Sequence, residues 1–232
     1  MTQGLFDGAT WKGPVPNMVV GGMGKIQGIV LHIMQGTLAG CDSWFHNPSS
    51  QVSAHFGNGK TGLLYQWVNA DNVAWAEAGG NPYWLSIEHE GVTGQSLTPE
   101  QILNDAKILV WAHENYGVPF TLANDPSQSG LGYHAMGGVP WGNHPDCPGP
   151  PIIAQRTQII EQALTLTRKD INNMQFMAKS PDGPATCMFD VGTKTYWGLG
   201  SAEQVLFYES LGIKNVTGVV PAVVYAQYTR TG

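Results

Sequence analysis

An α/β domain followed by a small α+β module is the fold class that this sequence predicts. Short apolar runs typical of strands alternate with segments of helical spacing, and this alternation weakens after residue 168. Strands interleaved with helices are typical of a domain built on a β-sheet with helices packed against it. We therefore expect a first domain at residues 1–168, a linker at 169–178 and a module at 179–232.

The first domain is predicted to begin with an irregular arm, which a buried strand follows. Residues 1–24 contain Pro14, Pro16 and a Gly-Gly pair, which interrupt any periodicity. Residues 28–33 (GIVLHI) form a short apolar run with β-branched residues, which is typical of a central strand. His32 lies near the end of this run, where it can project into a cleft. The alternative is a core histidine that is hydrogen-bonded to the backbone.

A short helix and a β-hairpin are predicted next. Residues 38–47 are compatible with the helix, and two strand-like runs at 51–56 and 62–68 flank a glycine-containing turn at 57–60. Two such runs joined by a short turn of this composition predict a hairpin.

The strand predicted at residues 83–90 (YWLSIEHE) carries two acidic side chains. Because side chains alternate along a strand, Glu88 and Glu90 face the same side of it. A carboxylate beside an apolar surround is a candidate general base. The alternative is that both carboxylates belong to a solvated face of the sheet.

Two helices complete the first domain, and the remaining chain is predicted to form the small module. Residues 98–116 begin with a capping box formed by Thr98 and Gln101, and Gly117 ends the helix. Residues 155–166 predict the second helix. The module is expected to contain a hairpin at 185–198, a helix at 201–212 and a final strand at 219–229.

Composition and charge exclude several classes of function. The formal net charge is −6, which argues against nucleic-acid binding because phosphate contacts need a basic face. No run of about 18 apolar residues occurs, so no membrane span is predicted. The first residues lack a basic region followed by an apolar block, so no secretory signal is predicted. The cysteines at positions 41, 147 and 187 are too scattered for a disulfide framework, and one of them fits better as a metal ligand.

A segment rich in glycine and proline, residues 130–149, carries the side chains that most strongly suggest a functional site. It contains His134, His144 and Cys147, and ligand-type side chains on a loop indicate a site held by the surrounding scaffold. Catalytic zinc sites use three protein ligands, typically histidine, cysteine or carboxylate, and leave one position open. His32, one of the two loop histidines and Cys147 form such a set.

Five motifs occur in a defined order between residues 25 and 149. They are IVLHIMQG around His32, QVSAHFGNGKTGLLYQWV at 51–68, AWAEAG at 74–79, LSIEHEG at 85–91 and YHAMGG…HPDCPG at 133–149. With these motifs in this order, the chain resembles the zinc-dependent N-acetylmuramoyl-L-alanine amidases, a family that includes phage endolysins and the peptidoglycan recognition proteins of animals. The last motif is most similar to that of endolysins from phages of actinobacteria.

The resemblance implies a fold, a cofactor and a set of residue roles. The expected fold is a central mixed β-sheet flanked by helices, as in the peptidoglycan recognition proteins. The family pattern implies Zn²⁺ as the cofactor, with His32, His134 and Cys147 as its ligands. It also implies Glu88 as the catalytic carboxylate, with Glu90 as the alternative.

Two departures from the family pattern affect the roles of individual residues. Relatives often carry a histidine after the tryptophan of the AWAEAG segment, where this chain has Ala76. Relatives also often carry a lysine two residues before the last ligand, where this chain has Pro145, so His144 is the candidate donor to a developing oxyanion. His144 is therefore also an alternative to His134 as a ligand. His55 matches a family position that is not a ligand, and we expect it to support the groove.

The predicted function is hydrolysis of the amide between N-acetylmuramic acid and L-alanine in peptidoglycan, as a phage endolysin performs it. The alternative is a non-catalytic peptidoglycan-binding module or a virion-associated wall-binding protein. Family members without activity typically lack the cysteine ligand, whereas Cys147 is present here. A further alternative is that these histidines and the cysteine are scattered structural residues.

Peptidoglycan is the expected partner, without nucleic acid or membrane, and the oligomeric state is left open. We expect synthesis in a host cytoplasm and release onto the cell wall during phage lysis, with export by another route as the alternative. The module at 179–232 is expected to bind the cell wall, or else to be a structural or oligomerisation appendage.

Overall fold

The computed structural model describes residues 4–172, 175–179, 186–190, 195–199, 214–219 and 229–230. Contacts between Cα atoms divide the chain into two compact units, Met1–Leu166 and Thr167–Gly232. The helix predicted at 201–212 and most of the final strand predicted at 219–229 lie outside the described residues. None of the described helices is both long enough and apolar enough to cross a bilayer.

The regular elements of the first unit alternate between short strands and helices. Its strands are β1 (Thr10–Trp11), β2 (Met18–Gly22), β3 (Gly28–Ile33), β4 (Phe56–Asn58), β5 (Leu64–Gln66), β6 (Asn72–Ala74), β7 (Trp84–His89) and β8 (Gly130–Tyr133). Its helices are α1 (Leu38–Phe45), α2 (Pro99–Tyr116) and α3 (Pro150–Asn172), the last of which continues into the second unit. Short 3₁₀ turns lie at Pro48–Ser50, Ala78–Gly80, His134–Gly137 and Val139–Trp141.

A mixed sheet with the strand order β1-β5-β4-β7-β3-β8 forms the centre of this unit. Strand β3 runs parallel to both β7 and β8, and β4 runs parallel to β7. Strands β4 and β5 are antiparallel. The predicted α/β class with a central mixed sheet and flanking helices is confirmed.

The two faces of β3 have different surroundings. Ile29, Leu31 and Ile33 belong to the core cluster that includes residues of α2 and α3, whereas Val30 belongs to a separate cluster. Because side chains alternate along a strand, His32 lies on the same face as Val30. The sheet therefore presents His32 on the face opposite to α2 and α3.

The N-terminal arm is more regular than its prolines and glycines predicted. Strand β1 pairs with β5, and β2 pairs antiparallel with β6. The backbone N–H of Lys12 also donates to the carbonyl of Gln66 at 2.8 Å. The expectation of an irregular arm was wrong in these two segments, because both strands depend on pairing with distant parts of the chain.

The predicted hairpin is present, but its turn lies further along the chain than residues 57–60. Gly57 is part of β4, and the turn is closed by a hydrogen bond from the N–H of Gly59 to the carbonyl of Leu63. A Cβ atom on Gly57 would lie 2.1 Å from the Trp67 indole. The glycine therefore marks a close approach of a side chain to the strand rather than a turn.

The predicted capping signals of α2 are confirmed. The Thr98 side chain accepts from the N–H of Gln101, the Gln101 side chain accepts from the N–H of Thr98, and Gly117 ends the helix with a φ of 73°. The second predicted helix, at 155–166, is longer than expected, because α3 begins at Pro150 and ends at Asn172.

After the end of α3, the described strands of the second unit form one sheet. Its strands are β9 (Gln175–Lys179), β10 (Thr186–Asp190), β11 (Thr195–Gly198), β12 (Lys214–Val219) and β13 (Thr229–Arg230), in the order β12-β9-β10-β11-β13. The hairpin predicted at 185–198 corresponds to the antiparallel pair β10 and β11. The end of α3 and most of β9 lie within residues 169–178, where we expected a linker.

Candidate metal centre

His32 and Glu88 lie side by side at the carboxyl ends of two parallel strands. They are register partners in the pairing of β3 with β7, and both line the same pocket. The carboxyl ends of neighbouring parallel strands open to one edge of the sheet, where ligands of α/β proteins commonly bind. The predicted strands therefore bring a histidine and a carboxylate together.

The loop after β8 places His134 next to these two residues and fixes its ring. The ring Nε2 of His134 lies 2.9 Å from the carbonyl oxygen of Trp141. Since a carbonyl only accepts, Nε2 carries the proton and donates it to this oxygen. The lone pair of His134 is therefore on Nδ1.

Cys147 is tied to the same loop through the backbone. The N–H of Ala135 donates to the carbonyl of Cys147 at 2.9 Å. This backbone hydrogen bond connects the neighbour of His134 to Cys147. The Cys147 Sγ lies 3.9 Å from Nδ1 of His32. The loop thus brings its thiol to the histidine of β3.

His32, His134 and Cys147 form one group of possible metal donors, whose ligand atoms all lie within 4.8 Å of one another. The rings of His32 and His134 have centroids 4.4 Å apart, and both side chains are buried. Two imidazoles and one thiol are the donor chemistry of a zinc site with an open position.

The protonation states of these donors also suit a metal cation. Burial, followed by the neighbouring His134, His89 and His144, lowers the pKa of His32 well below its usual value, so the ring is neutral. Burial raises the pKa of Cys147 to about 12. A thiolate at this position therefore needs a cation beside it, and none of the described residues that line the pocket is lysine or arginine. The donor set fits zinc.

Glu88 has the environment of a proton-transfer group. Its Oε2 is buried without a hydrogen-bond partner among the described residues, and burial raises its pKa to about 7, against a smaller lowering by His89. The other candidate, Glu90, uses Oε2 to accept the backbone N–H of Lys60 at 2.9 Å. Of the two carboxylates, only Glu88 lines the pocket.

His144 lies beside the candidate ligands, outside the donor group. Its ring centroid is 4.5 Å from that of His134, but its nitrogens are not among the three grouped donor atoms. The residue is exposed and lines the pocket together with Pro145 and Asp146. A substrate in the pocket can therefore reach the His144 ring.

His55, which we expected to support the groove, is fully buried with both ring nitrogens engaged. Its Nδ1 lies 3.0 Å from the hydroxyl of Ser86, and its Nε2 lies 3.1 Å from the carbonyl of Asn72. His55 thus joins β7 to β6 and has no nitrogen left for a metal.

The structure adds one residue that the sequence did not single out. Glu77 is 1% exposed, and its Oε2 lies 3.4 Å from Nε2 of His32. In the sequence, the AWAEAG segment drew attention only to the missing histidine at Ala76. The acidic residue next to it was the available signal, although no spacing rule links it to a histidine on another strand.

The pocket itself has a volume of about 590 Å³, which is within the usual range for binding sites of small ligands. Besides the residues already described, Trp44 and Trp75 line its walls. Aromatic side chains supply broad contact area for an organic ligand. The arrangement suits a polar reaction centre with apolar walls.

Comparisons with known proteins identify relatives of the first unit. A family model described as N-acetylmuramoyl-L-alanine amidase matches residues 22–150. The N-acetylmuramoyl-L-alanine amidase A of Achromobacter lyticus is 36% identical over 87 residues, which are 37% of this chain and 49% of that protein. The aligned part of the chain thus spans about half the length of this relative.

Two solved structures share the fold at low sequence identity. The hydrolase AmiA of Staphylococcus aureus, solved in complex with its ligand, has a TM-score of 0.54 and 17% identity, over 71% of this chain and 88% of that one. The Drosophila peptidoglycan recognition protein SD has a TM-score of 0.50 and 16% identity, over 65% of this chain and 94% of that one.

Proposed function

The chain belongs to the N-acetylmuramoyl-L-alanine amidase family, and on this premise we propose that it hydrolyses the amide between N-acetylmuramic acid and L-alanine in bacterial peptidoglycan. The observation that carries the proposal is the convergence of His32, His134 and Cys147 on the pocket that Glu88 lines. Three donors beside an open pocket, with a carboxylate within it, are the parts that a metal-assisted amide hydrolysis requires.

We propose that His32, His134 and Cys147 hold a zinc ion. A bound zinc supplies Lewis acidity, which polarises an amide carbonyl and lowers the pKa of water. The protein's own contribution is to keep both imidazoles neutral and to hold the two loop donors through the hydrogen bonds of Trp141 and Ala135.

Glu88 is the proposed proton carrier of the reaction. Its carboxylate takes a proton from water as the water oxygen bonds to the amide carbon, and it returns that proton to the alanine nitrogen as the carbon–nitrogen bond breaks. The products are a carboxyl group on the muramic acid and a free α-amine on the alanine. A pKa of about 7 allows Glu88 to accept and release the proton near neutral pH.

His144 is the proposed donor to the oxyanion that develops on the carbonyl oxygen. The ring is exposed at the pocket and lies beside His134, where a substrate carbonyl can be contacted. Removal of such a donor typically lowers the rate about 10²–10³-fold.

The test compares two carboxamide variants on purified cell walls. Glu88→Gln should lower the release of free alanine amino termini roughly 10²–10⁴-fold, because proton transfer is lost, while zinc stays bound. The matched control is Glu90→Gln, whose carboxylate is bonded to the backbone of Lys60 and which should retain hydrolysis. New reducing sugar ends without new amino termini would refute the proposed reaction, and unchanged hydrolysis in Glu88→Gln would refute the proposed role of Glu88.

Metal analysis separates this proposal from the non-catalytic alternative. We expect one zinc per chain, loss of hydrolysis after treatment with a chelator, and recovery when zinc is added back. A protein that binds cell walls but releases no amino termini with zinc present would favour the binding module. Absence of stoichiometric zinc would favour the alternative that His32, His134 and Cys147 are structural residues that bind no metal.

We also propose that the protein acts as a phage endolysin and that its second unit binds the cell wall. The resemblance of the loop at 133–149 to endolysins of actinobacterial phages supports the first part. For the second part, the support is the presence of a separate compact unit that follows the first unit in the sequence. Lysis of cells when the protein is expressed together with a membrane-permeabilising holin tests the biological role.

A further inference from the structure

Glu77 is a buried acid, and one of its carboxylate oxygens lacks a hydrogen bond among the described residues. It follows β6, precedes the 3₁₀ turn Ala78–Gly80 and is 1% exposed. Its Oε2 has no hydrogen bond with the described residues. Because a buried carboxylate is unfavourable without a partner, its position calls for an explanation.

The atom next to this carboxylate is a ring nitrogen of a candidate metal ligand. Nε2 of His32 lies 3.4 Å from Oε2 of Glu77, slightly beyond an ordinary hydrogen bond, and it has no other partner among the described residues. The opposite nitrogen, Nδ1, lies 3.9 Å from Sγ of Cys147. The His32 ring therefore turns one nitrogen to the donor group and the other to Glu77.

His134 shows the same arrangement with a different acceptor. Its Nε2 donates to the carbonyl of Trp141 at 2.9 Å, which leaves Nδ1 free for the metal. Metal-binding histidines usually donate their second ring N–H to a carboxylate or a carbonyl, which fixes the tautomer and the ring orientation.

We propose that Glu77 is the positioning residue for His32: its carboxylate accepts the Nε2–H of His32 and holds the ring in the tautomer whose Nδ1 lone pair faces the metal. The inference depends on the proposed function only in taking His32 as a ligand. Glu77 is neither in the donor group nor among the residues that line the pocket, so it acts on the metal through His32.

The surrounding backbone holds Glu77 in this place. The side-chain oxygen of Asn81 accepts the N–H groups of Ala76 and Glu77, at 3.0 and 2.7 Å. A Cβ atom on Gly80 would lie 2.8 Å from Cγ of Glu77 and 2.7 Å from the Trp141 indole. Only a glycine leaves room for Glu77 to reach the His32 ring.

The test measures zinc affinity by competition with a chromophoric chelator in the full-length protein. Glu77→Leu removes the acceptor at similar volume and should weaken zinc binding roughly 10–100-fold. Glu77→Gln keeps an acceptor oxygen at the same position and should recover most of the affinity. The matched control is Glu88→Leu, which removes the other buried carboxylate of the site and should change zinc affinity less than Glu77→Leu.

A spectroscopic measurement distinguishes positioning from a general loss of structure. In the zinc-loaded wild type and in Glu77→Gln, the Nε2–H proton of His32 should give a slowly exchanging resonance by NMR, and in Glu77→Leu this resonance should be lost. Thermal unfolding of the metal-free variants checks that all of them are folded.

Two results would overturn the inference: zinc affinity of Glu77→Leu equal to that of the wild type, or an equal loss in Glu77→Leu and Glu88→Leu. Either result leaves the proposed function intact, because wild-type zinc binding and hydrolysis are measured in the same series. A wild-type protein that binds no zinc would instead refute the proposed metal site.

Discussion

The rings of His134 and His144 are neighbours, and the surroundings of each explain why they are expected to have different roles. His134 donates Nε2–H to the Trp141 carbonyl and belongs to the donor group, which His144 does not. Motif resemblance favoured His134 but left both histidines as candidates, because the two differ in burial and in a contact that the loop makes with itself. Sequence spacing does not contain that contact.

The first prediction concerns these two histidines. His134→Ala removes a proposed ligand and should weaken zinc binding by at least about tenfold, which chelator competition measures. His144→Ala should keep zinc affinity within a few-fold and lower kcat roughly 10²–10³-fold, because an oxyanion donor is lost. If His144→Ala loses the metal and His134→Ala keeps it, the two roles are exchanged.

The second prediction concerns the buried His55. Burial lowers its pKa from 6.5 to about 4, so the unfolded chain binds this proton at a higher pH than the folded chain. Between these two values the unfolded state carries more protons, and the free energy of unfolding therefore falls as the pH drops from 6.5 to 4, by up to about 3 kcal/mol.

Denaturant unfolding at pH 7 and pH 4.5 measures this effect. In His55→Gln, the decrease in unfolding free energy between the two pH values should be smaller than in the wild type. The same decrease in both proteins would show that His55 does not carry this part of the pH dependence.

Among the strands and helices, the sequence predicts those whose local pattern agrees with their final surroundings. Strand β3 is apolar because both of its faces are buried, and α2 carries its own start and stop signals. Strands β1 and β2 could not be predicted, because their pairing partners lie far along the chain. Gly57 was misinterpreted because the Trp67 ring that requires it belongs to another element.

The third prediction tests how β3 and β8 hold the site together. A Cβ atom on Gly28 would lie 2.0 Å from the carbonyl oxygen of Gly130, so Gly28→Ala must separate the two strands. We expect the free energy of unfolding to fall by about 3 kcal/mol. Zinc should also bind more weakly, because His32 lies in β3 and His134 comes directly after β8. Thermal unfolding and chelator competition measure the two effects.

Gly36→Ala is the control for this substitution. A Cβ atom on Gly36 meets its nearest neighbour at 4.0 Å, so the unfolding free energy should change by only about 0.5 kcal/mol. Equal stability losses in both variants would contradict the proposed close approach of β3 to β8.

The sequence predicts two units with a boundary near residue 168, and contacts divide the chain between Leu166 and Thr167. The sequence signal for a boundary here is the weakening of periodicity after residue 168. The sequence did not indicate that α3 continues to Asn172. Helix ends are uncertain by one or two residues even between structure-based assignments, so pattern alone does not fix them.

The fourth prediction separates the activities of the two units. A chain that ends after Asn172 retains all of α3 and should hydrolyse a small muramyl-peptide substrate at a rate within a few-fold of the full-length protein. It should sediment with purified cell walls less than the full-length protein does, because the proposed wall-binding unit is absent. Equal sedimentation of the two proteins would indicate that residues 173–232 do not bind the wall.

Strand β3, which carries His32, pairs on both sides with strands that are synthesised much later. At roughly 5–20 residues per second, the roughly 100 residues between β3 and β8 take about 5–20 s to leave the ribosome. During this interval, at least the edge of β3 that β8 later covers has unpaired backbone groups, which are available to other nascent chains. The strand that makes the site rigid in the folded protein is therefore also a point of vulnerability during biosynthesis.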